Sequence, residues 1–323
     1  MNLNLFIKGK YTSAVAIILY LAGVYVTSLS IANPVYEMGE GLLFPNADRW
    51  FSSALFNHLI AALLSFGGAI LLLRINDRFS LIQKHTLLPF IFFLLFQVTS
   101  PALSFLCNGN FVAVLLLLLL FIFFGSYQQE KAQPAFLIAI IISTSTIFAP
   151  RFFYYIPLFI IGFFQIRYAS LKSLMGCLVG IITPFWIGIG LDIIKIDQTV
   201  LLLPDFSLQR LLSIPYDNPQ LWTVILTLLL GFFSGTSNLY ATFNEKRQIR
   251  AYNGFINLLS VYTAILLLLD YQNYTFYLPI LNAAVAIQSS FLFTNNDKKA
   301  IVVLFYLVLT LYIALFTWNL LPI

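Results

Sequence analysis

Between Phe111 and Phe124 the chain reads FVAVLLLLLLFIFF, a run without one polar side chain. A helix made of it has no face to offer water, so it belongs inside protein or inside a bilayer. The rest of the chain decides between the two. Comparable apolar runs lie at about 12–32, 52–73, 87–106, 111–126, 135–149, 152–167, 173–191, 221–241, 253–270, 275–294 and 300–320. At about 20 residues per crossing, eleven such runs use most of the chain. Composition points the same way. Of 323 residues, 60% are hydrophobic and only 9% are charged, against about 25% charged in a soluble domain. A water-soluble globule of this size could not cover its surface with so little charge. Disorder is excluded as well, because 33 Phe, 17 Tyr and 4 Trp are the opposite of a disordered composition. The expectation is an all-α polytopic transmembrane bundle of about eleven spans, forming a single domain over residues 1–323.

Charge sets the expected orientation. With the N-terminus inside, thirteen of the 17 Lys and Arg residues fall on the cytoplasmic side. Arg49, Arg151, Lys195 and Arg210 remain outside, together with most of the carboxylates. Because cytoplasmic loops carry the excess of Lys and Arg, the reading is N-inside and C-outside. The formal charge of +5 is then an orientation signal and not a nucleic-acid footprint. A multi-pass protein of a bacterial inner membrane follows, with the lipid bilayer as its first partner. The apolar stretch of the first span is longer than a signal-peptide core, so it reads as an uncleaved anchor. The cytoplasmic loops hold no phosphate-binding glycine motif. Cys107 and Cys177 fall at opposite membrane faces, too far apart to bridge. Two Cys and two His at these spacings build no zinc site, and no cofactor is expected, although a divalent metal at the first outer loop stays open.

Two outer loops, 33–51 and 192–220, are longer than a connection needs. The first carries Glu37, Glu40 and Asp48, then Trp50 at headgroup level. Pro45-Asn46 reads as the start of the second span, with Asp48 in its first turn, where the helix dipole favours a negative group. Asn57 and His58 then come two to three turns deeper, where a histidine needs a partner or a cavity. Asp48 and His58 are either a helix cap and an interhelical contact, or an acid/base cluster opening outward. In the second loop, Asp205–Ile214 reads as a short amphipathic helix lying in the outer interface. Between spans five and six, Ala149-Pro-Arg-Phe-Phe-Tyr-Tyr sets Arg151 beside Tyr154 and Tyr155. A cation there either anchors the interface or binds a lipid phosphate. Asn108-Gly109-Asn110 makes a tight outer turn. Gln97, Asn257, Asn282 and Gln288 read as interhelical hydrogen-bonding groups. Pro101, Pro157, Pro184 and Pro279 read as local helix breaks.

This succession resembles membrane glycosyltransferases of the C superfamily over about residues 1–220: a first span, an outer loop with carboxylates, a tiny outer turn, and a Pro-Arg-aromatic corner. The resemblance implies a polyprenyl-phosphate-linked sugar donor, with Asp48 or Glu40 as base and Arg151, and more weakly Arg210, on the lipid phosphate. The paired acidic motif of that superfamily is missing from the loop. The Phe-, Ile- and Asn-rich style also resembles uncharacterised polytopic inner-membrane proteins of Bacteroidota, a similarity that carries no activity. Three functions stay open: a lipid-linked sugar transferase of envelope glycan assembly, a non-catalytic scaffold that docks other membrane proteins, and a transporter.

Overall fold

A computed structural model describes residues 10–30, 41–129, 131–194, 218–295 and 299–320. Among these residues there are eleven α-helices and no strand. They are α1 (Lys10–Ser30), α2 (Ala54–Phe79), α3 (Leu88–Thr99), α4 (Asn108–Gly125), α5 (Gln133–Ser145), α6 (Ile156–Gln165), α7 (Leu171–Gly190), α8 (Pro219–Ala241), α9 (Arg247–Leu269), α10 (Tyr274–Asn295) and α11 (Lys299–Leu320). Eight of these segments, all except α3, α5 and α6, are long and apolar enough to cross a membrane. The architecture fits an integral, multi-pass membrane protein.

The three shorter helices have local causes. Pro101 disfavours helical backbone in the residue before it, so α3 stops at Thr99 and a 3-10 turn covers Pro101–Ser104. A second 3-10 segment, Pro150–Tyr155, leads into α6. A 3-10 turn rises about 2.0 Å per residue and an α-helix about 1.5 Å, so Pro150–Gln165 still climbs about 27 Å. Proline also starts helices here. Pro89, Pro134, Pro157 and Pro219 sit in the first turns of α3, α5, α6 and α8, where the missing N–H costs nothing. Pro184 and Pro279 differ from the sequence reading, because both lie inside continuous helices, α7 and α10. Neighbouring helices can offset the hydrogen bond a proline removes. The start of α7 is fixed by a capping box: Ser170 Oγ accepts from the Ser173 amide and Ser173 Oγ accepts from the Ser170 amide.

At the centre stands α10, buried along its whole length and packed against α3, α4, α8 and α9. Because it meets protein on every side, it can carry amides. Asn282 donates to Gln97 on α3 at 3.3 Å, and Gln288 donates to Asn257 on α9 at 2.7 Å. Such bonds satisfy polar groups that hydrocarbon cannot. On α8, Gly231 and Gly235 face Val285 and Gln288 of α10 at close range. A second glycine pair, Gly176 and Gly180 on α7, lies against the Ala132 and Phe136 carbonyls and Ala139 at the α5 side. Both pairs follow the small-xxx-small spacing that lets membrane helices approach. By contrast few residues of α1, α7 and α11 are buried, and Leu29, Leu171, Trp186 and Val303 on these helices point outward.

Hydrogen bonds gather the helix ends into two layers. At one end the Leu43 amide donates to the Ile147 carbonyl (3.2 Å), Arg151 meets Asp270, and Asn319 donates to the Thr99 carbonyl (3.1 Å). At the other end Lys84 donates to the Thr294 carbonyl (3.0 Å), Asn253 to the Leu81 carbonyl (3.1 Å) and Tyr252 to the Phe124 carbonyl (2.7 Å). Arg78, Lys84, Lys131, Arg167, Lys172, Lys246, Arg247 and Arg250 belong to the second layer, the basic end of the bundle.

Candidate functional site

The site is built where α9 stops. Asp270 leaves the helical region (φ −125°, ψ 55°), although its amide still reaches the Leu266 carbonyl at 2.9 Å, and a 3-10 turn follows over Tyr271–Asn273. Its carboxylate collects three donors: Arg151 Nε at 2.9 Å, Asn273 Nδ2 at 2.7 Å and the Tyr277 hydroxyl at 3.2 Å. The two charged side chains are 22% and 12% exposed, so the pair is largely withdrawn from water. Two further bonds pin the segment that carries Arg151. The Tyr262 hydroxyl donates to the Tyr154 carbonyl at 2.6 Å, and Tyr155 meets Thr263 at 3.2 Å. Arg151 is thus oriented through Nε alone. Among the described residues its two terminal nitrogens make no other hydrogen bond, which leaves the fork of the guanidinium able to take an oxyanion. Asp270 does not stand out in the sequence. Its signal is a lone carboxylate closing the apolar run Ala264–Leu269.

Asp48 lies at the same end, in a 3-10 turn over Ala47–Arg49, and is 6% exposed. That turn is fastened by Asn108, whose Oδ1 accepts from the Ala47 amide and whose Nδ2 donates to Asn46 Oδ1, both at 2.9 Å. Trp50 donates to the Pro45 carbonyl at 2.8 Å and rests its ring 6.2 Å from Phe111 and from Phe148. The helix itself starts later than the sequence suggests, at Ala54, because the turn and the extended Ser53 intervene. Asn57 and His58 therefore sit at the beginning of α2, not two to three turns inside it. His58 is buried, donates from Nδ1 to the Ser104 carbonyl at 2.8 Å, and packs on Phe105 with centroids 4.2 Å apart. Asn110 is also more than a turn residue: its amide ties the Leu103 and Phe105 carbonyls, at 3.1 Å each.

Asp48, His58 and Arg151 share one end of the bundle, yet no hydrogen bond or ion pair joins either of the first two to Arg151. Tyr154 is half-buried beside Arg151. Glu40, Arg210 and the expected interfacial helix Asp205–Ile214 lie outside the described residues.

Among the described residues, two cavities stand out elsewhere. One of about 690 Å³ lies between α1, α3 and α11 and is lined almost wholly by hydrocarbon, Leu19, Leu95, Leu309 and Phe316 among others. The other, of about 260 Å³, sits at the basic end. Neither is lined by Asp48, His58 or Arg151. Among the described residues no three His, Cys, Asp or Glu side chains converge as metal ligands. No family model, curated protein or solved structure matches this chain.

Proposed function

We propose that this multi-pass protein handles a phosphate-bearing lipid at the end that holds Arg151 and Asp270, as a transferase using a polyprenyl-phosphate-linked sugar at the outer face of a bacterial inner membrane. One observation carries the reading: a largely buried guanidinium held through Nε by a carboxylate, with its terminal nitrogens uncommitted. A cation kept at a membrane face is costly unless it serves a partner, and a planar fork suits phosphate. In such a transfer an acceptor hydroxyl attacks the sugar carbon, the bond from that carbon to the phosphate oxygen breaks, and the polyprenyl phosphate leaves as an anion. Arg151 would stabilise that developing charge. Asp48, on the same end, is the carboxylate proposed to take the hydroxyl proton. The hydrocarbon-lined cavity between α1, α3 and α11 offers room for an isoprenoid chain. The test is capture of polyprenyl phosphate by purified protein, read by native mass spectrometry, and transfer from a lipid-linked sugar. Arg151→Gln is expected to lose both, whereas Asp48→Asn loses transfer and keeps binding. Unchanged binding in Arg151→Gln refutes the reading.

A second reading, the non-catalytic scaffold, has its own support. Asp48 sits in a turn fastened by Asn108, and His58 is spent on the Ser104 carbonyl. Absence of transfer by the parent protein, together with undisturbed growth of an Asp48→Asn strain, would favour it.

A further inference from the structure

The smaller cavity opens at the basic end, and its lining is Tyr127, Gln165, Arg167, Arg247, Arg250 and Ala251. Its walls come from three places: the turn after α4, the C-terminus of α6 and the first turn of α9. Gln165 donates to the Ala251 carbonyl at 3.4 Å and holds α6 against α9. Three arginines therefore line one hollow. Arg250 donates to the Phe243 carbonyl at 3.2 Å, but among the described residues none of the three is ion-paired. Glu245, a short step along the chain, makes no salt bridge with them either.

Two features of this hollow run against local preference. The first is the start of α9. A helix N-terminus presents unsatisfied N–H groups and the positive end of the dipole, so it favours acidic side chains. Here it has no acidic residue in the first turn and no side-chain cap, and it carries Lys246, Arg247 and Arg250 instead. The second is Arg167. The end of α6 is a Schellman motif, in which the Tyr168 amide reaches the Phe163 carbonyl (2.9 Å) and the Arg167 amide the Phe164 carbonyl (3.2 Å). Arg167 holds the position where the backbone turns left-handed, with φ 57°. Glycine fills that position at no steric cost, yet an arginine is kept there and lines the hollow. Positive charge is thus concentrated in spite of the α9 dipole and of the backbone at Arg167, and a bound anion would relieve the electrostatic conflict.

We infer that Arg167, Arg247 and Arg250, with the N-terminus of α9, form a binding site for the phosphate of an anionic lipid headgroup. Helix N-termini and arginine forks both suit phosphate oxygens. The cavity is smaller than the usual pocket for a drug-sized ligand, about 300–1,000 Å³, and so suits a headgroup. Phe164, Tyr240 and Phe243 are exposed near the same end and give acyl chains an apolar surface to lie on. Basic pockets between helices on the cytoplasmic side are where such headgroups bind. The site is independent of the one proposed around Arg151, which lies at the opposite end.

The test uses the full-length protein in a neutral detergent, titrated with phosphatidylglycerol, with phosphatidylcholine or with inorganic phosphate, and read by thermal stability and native mass spectrometry. Phosphatidylglycerol is expected to raise the melting temperature and remain bound, while phosphatidylcholine does neither. Arg247→Gln combined with Arg250→Gln should weaken the phosphatidylglycerol response by about tenfold or more, the order expected for loss of a charge-assisted hydrogen bond. Arg167→Gly guards against a folding artefact. Glycine suits that backbone, so this variant should be at least as stable as the parent and still lose lipid affinity. Equal protection by inorganic phosphate keeps the site and assigns it to free phosphate. An identical phosphatidylglycerol response in the parent and both variants overturns it.

Discussion

Substituting Gly180 by alanine should destabilise the protein, whereas the same change at Gly67 should stabilise it. A methyl group at Gly180 would come 2.7 Å from the Phe136 carbonyl oxygen, 2.8 Å from Ala139 Cβ and 3.1 Å from the Ile140 amide nitrogen. Two of these atoms are backbone and cannot swing aside. Ordinary contact begins near 3.4 Å, so α7 must retreat from α5. Overpacking of this kind costs about 1–3 kcal/mol. Against it stands the gain in helix propensity from glycine to alanine, about 0.8–1.0 kcal/mol. The steric term wins, and a net loss of about 1 kcal/mol follows. At Gly67 an added Cβ meets nothing within 4 Å, so only the propensity gain remains, about 0.8–1.0 kcal/mol of stabilisation. Equilibrium unfolding of both purified variants in mixed micelles reads the two signs directly. If both variants move in the same direction by the same amount, the α5–α7 contact is not tight and the reasoning fails.

Asp270→Ala should cost about 3 kcal/mol, since it strands Arg151 in a largely buried place, while Asp270→Asn keeps hydrogen-bonding capacity and should cost less; chemical unfolding of the two variants separates them. Asn253→Ala removes an amide that ties the Leu81 and Ile249 carbonyls and meets Asn238, and the same measurement should show a loss of about 1–3 kcal/mol. Arg167→Gly should gain about 1 kcal/mol by relieving a left-handed arginine, visible as a raised melting temperature in lipid-free detergent. A reporter fused after Ile323 should be active only on the outer side of the membrane; cytoplasmic activity would reverse the expected orientation.

The helices were legible because they need only composition. The run 111–124 is apolar on every face, and no other residue has to be known to read it. Boundaries were less legible where a proline or an asparagine acts across space. Nothing in the run from Pro45 to Trp50 says that Asn108, far along the chain, will fasten a 3-10 turn there and delay α2 to Ala54. The candidate site shows the same division. Arg151 was readable as a cation pressed against a membrane face, but Asp270 was not readable as its partner, because the pair joins residues on different helices. The glycine pairs of α7 and α8 carried a signal in their four-residue spacing, Gly176 to Gly180 and Gly231 to Gly235. Spacing alone does not name the helix that each pair faces.

The wholly enclosed α10 also bears on how the chain is made. Synthesis runs from the N-terminus, and segments tend to fold in that order. When Tyr274–Asn295 emerges, its four principal neighbours α3, α4, α8 and α9 have already been synthesised. A helix carrying Asn282, Gln288, Ser289 and Ser290 would be a poor tenant of lipid on its own. Arriving late, it can enter a cleft whose amides are already waiting. Moving this segment to an earlier place in the chain, by circular permutation, would ask it to wait in hydrocarbon with those groups unmet. Translation order thus becomes part of what allows a polar helix at the heart of a membrane protein.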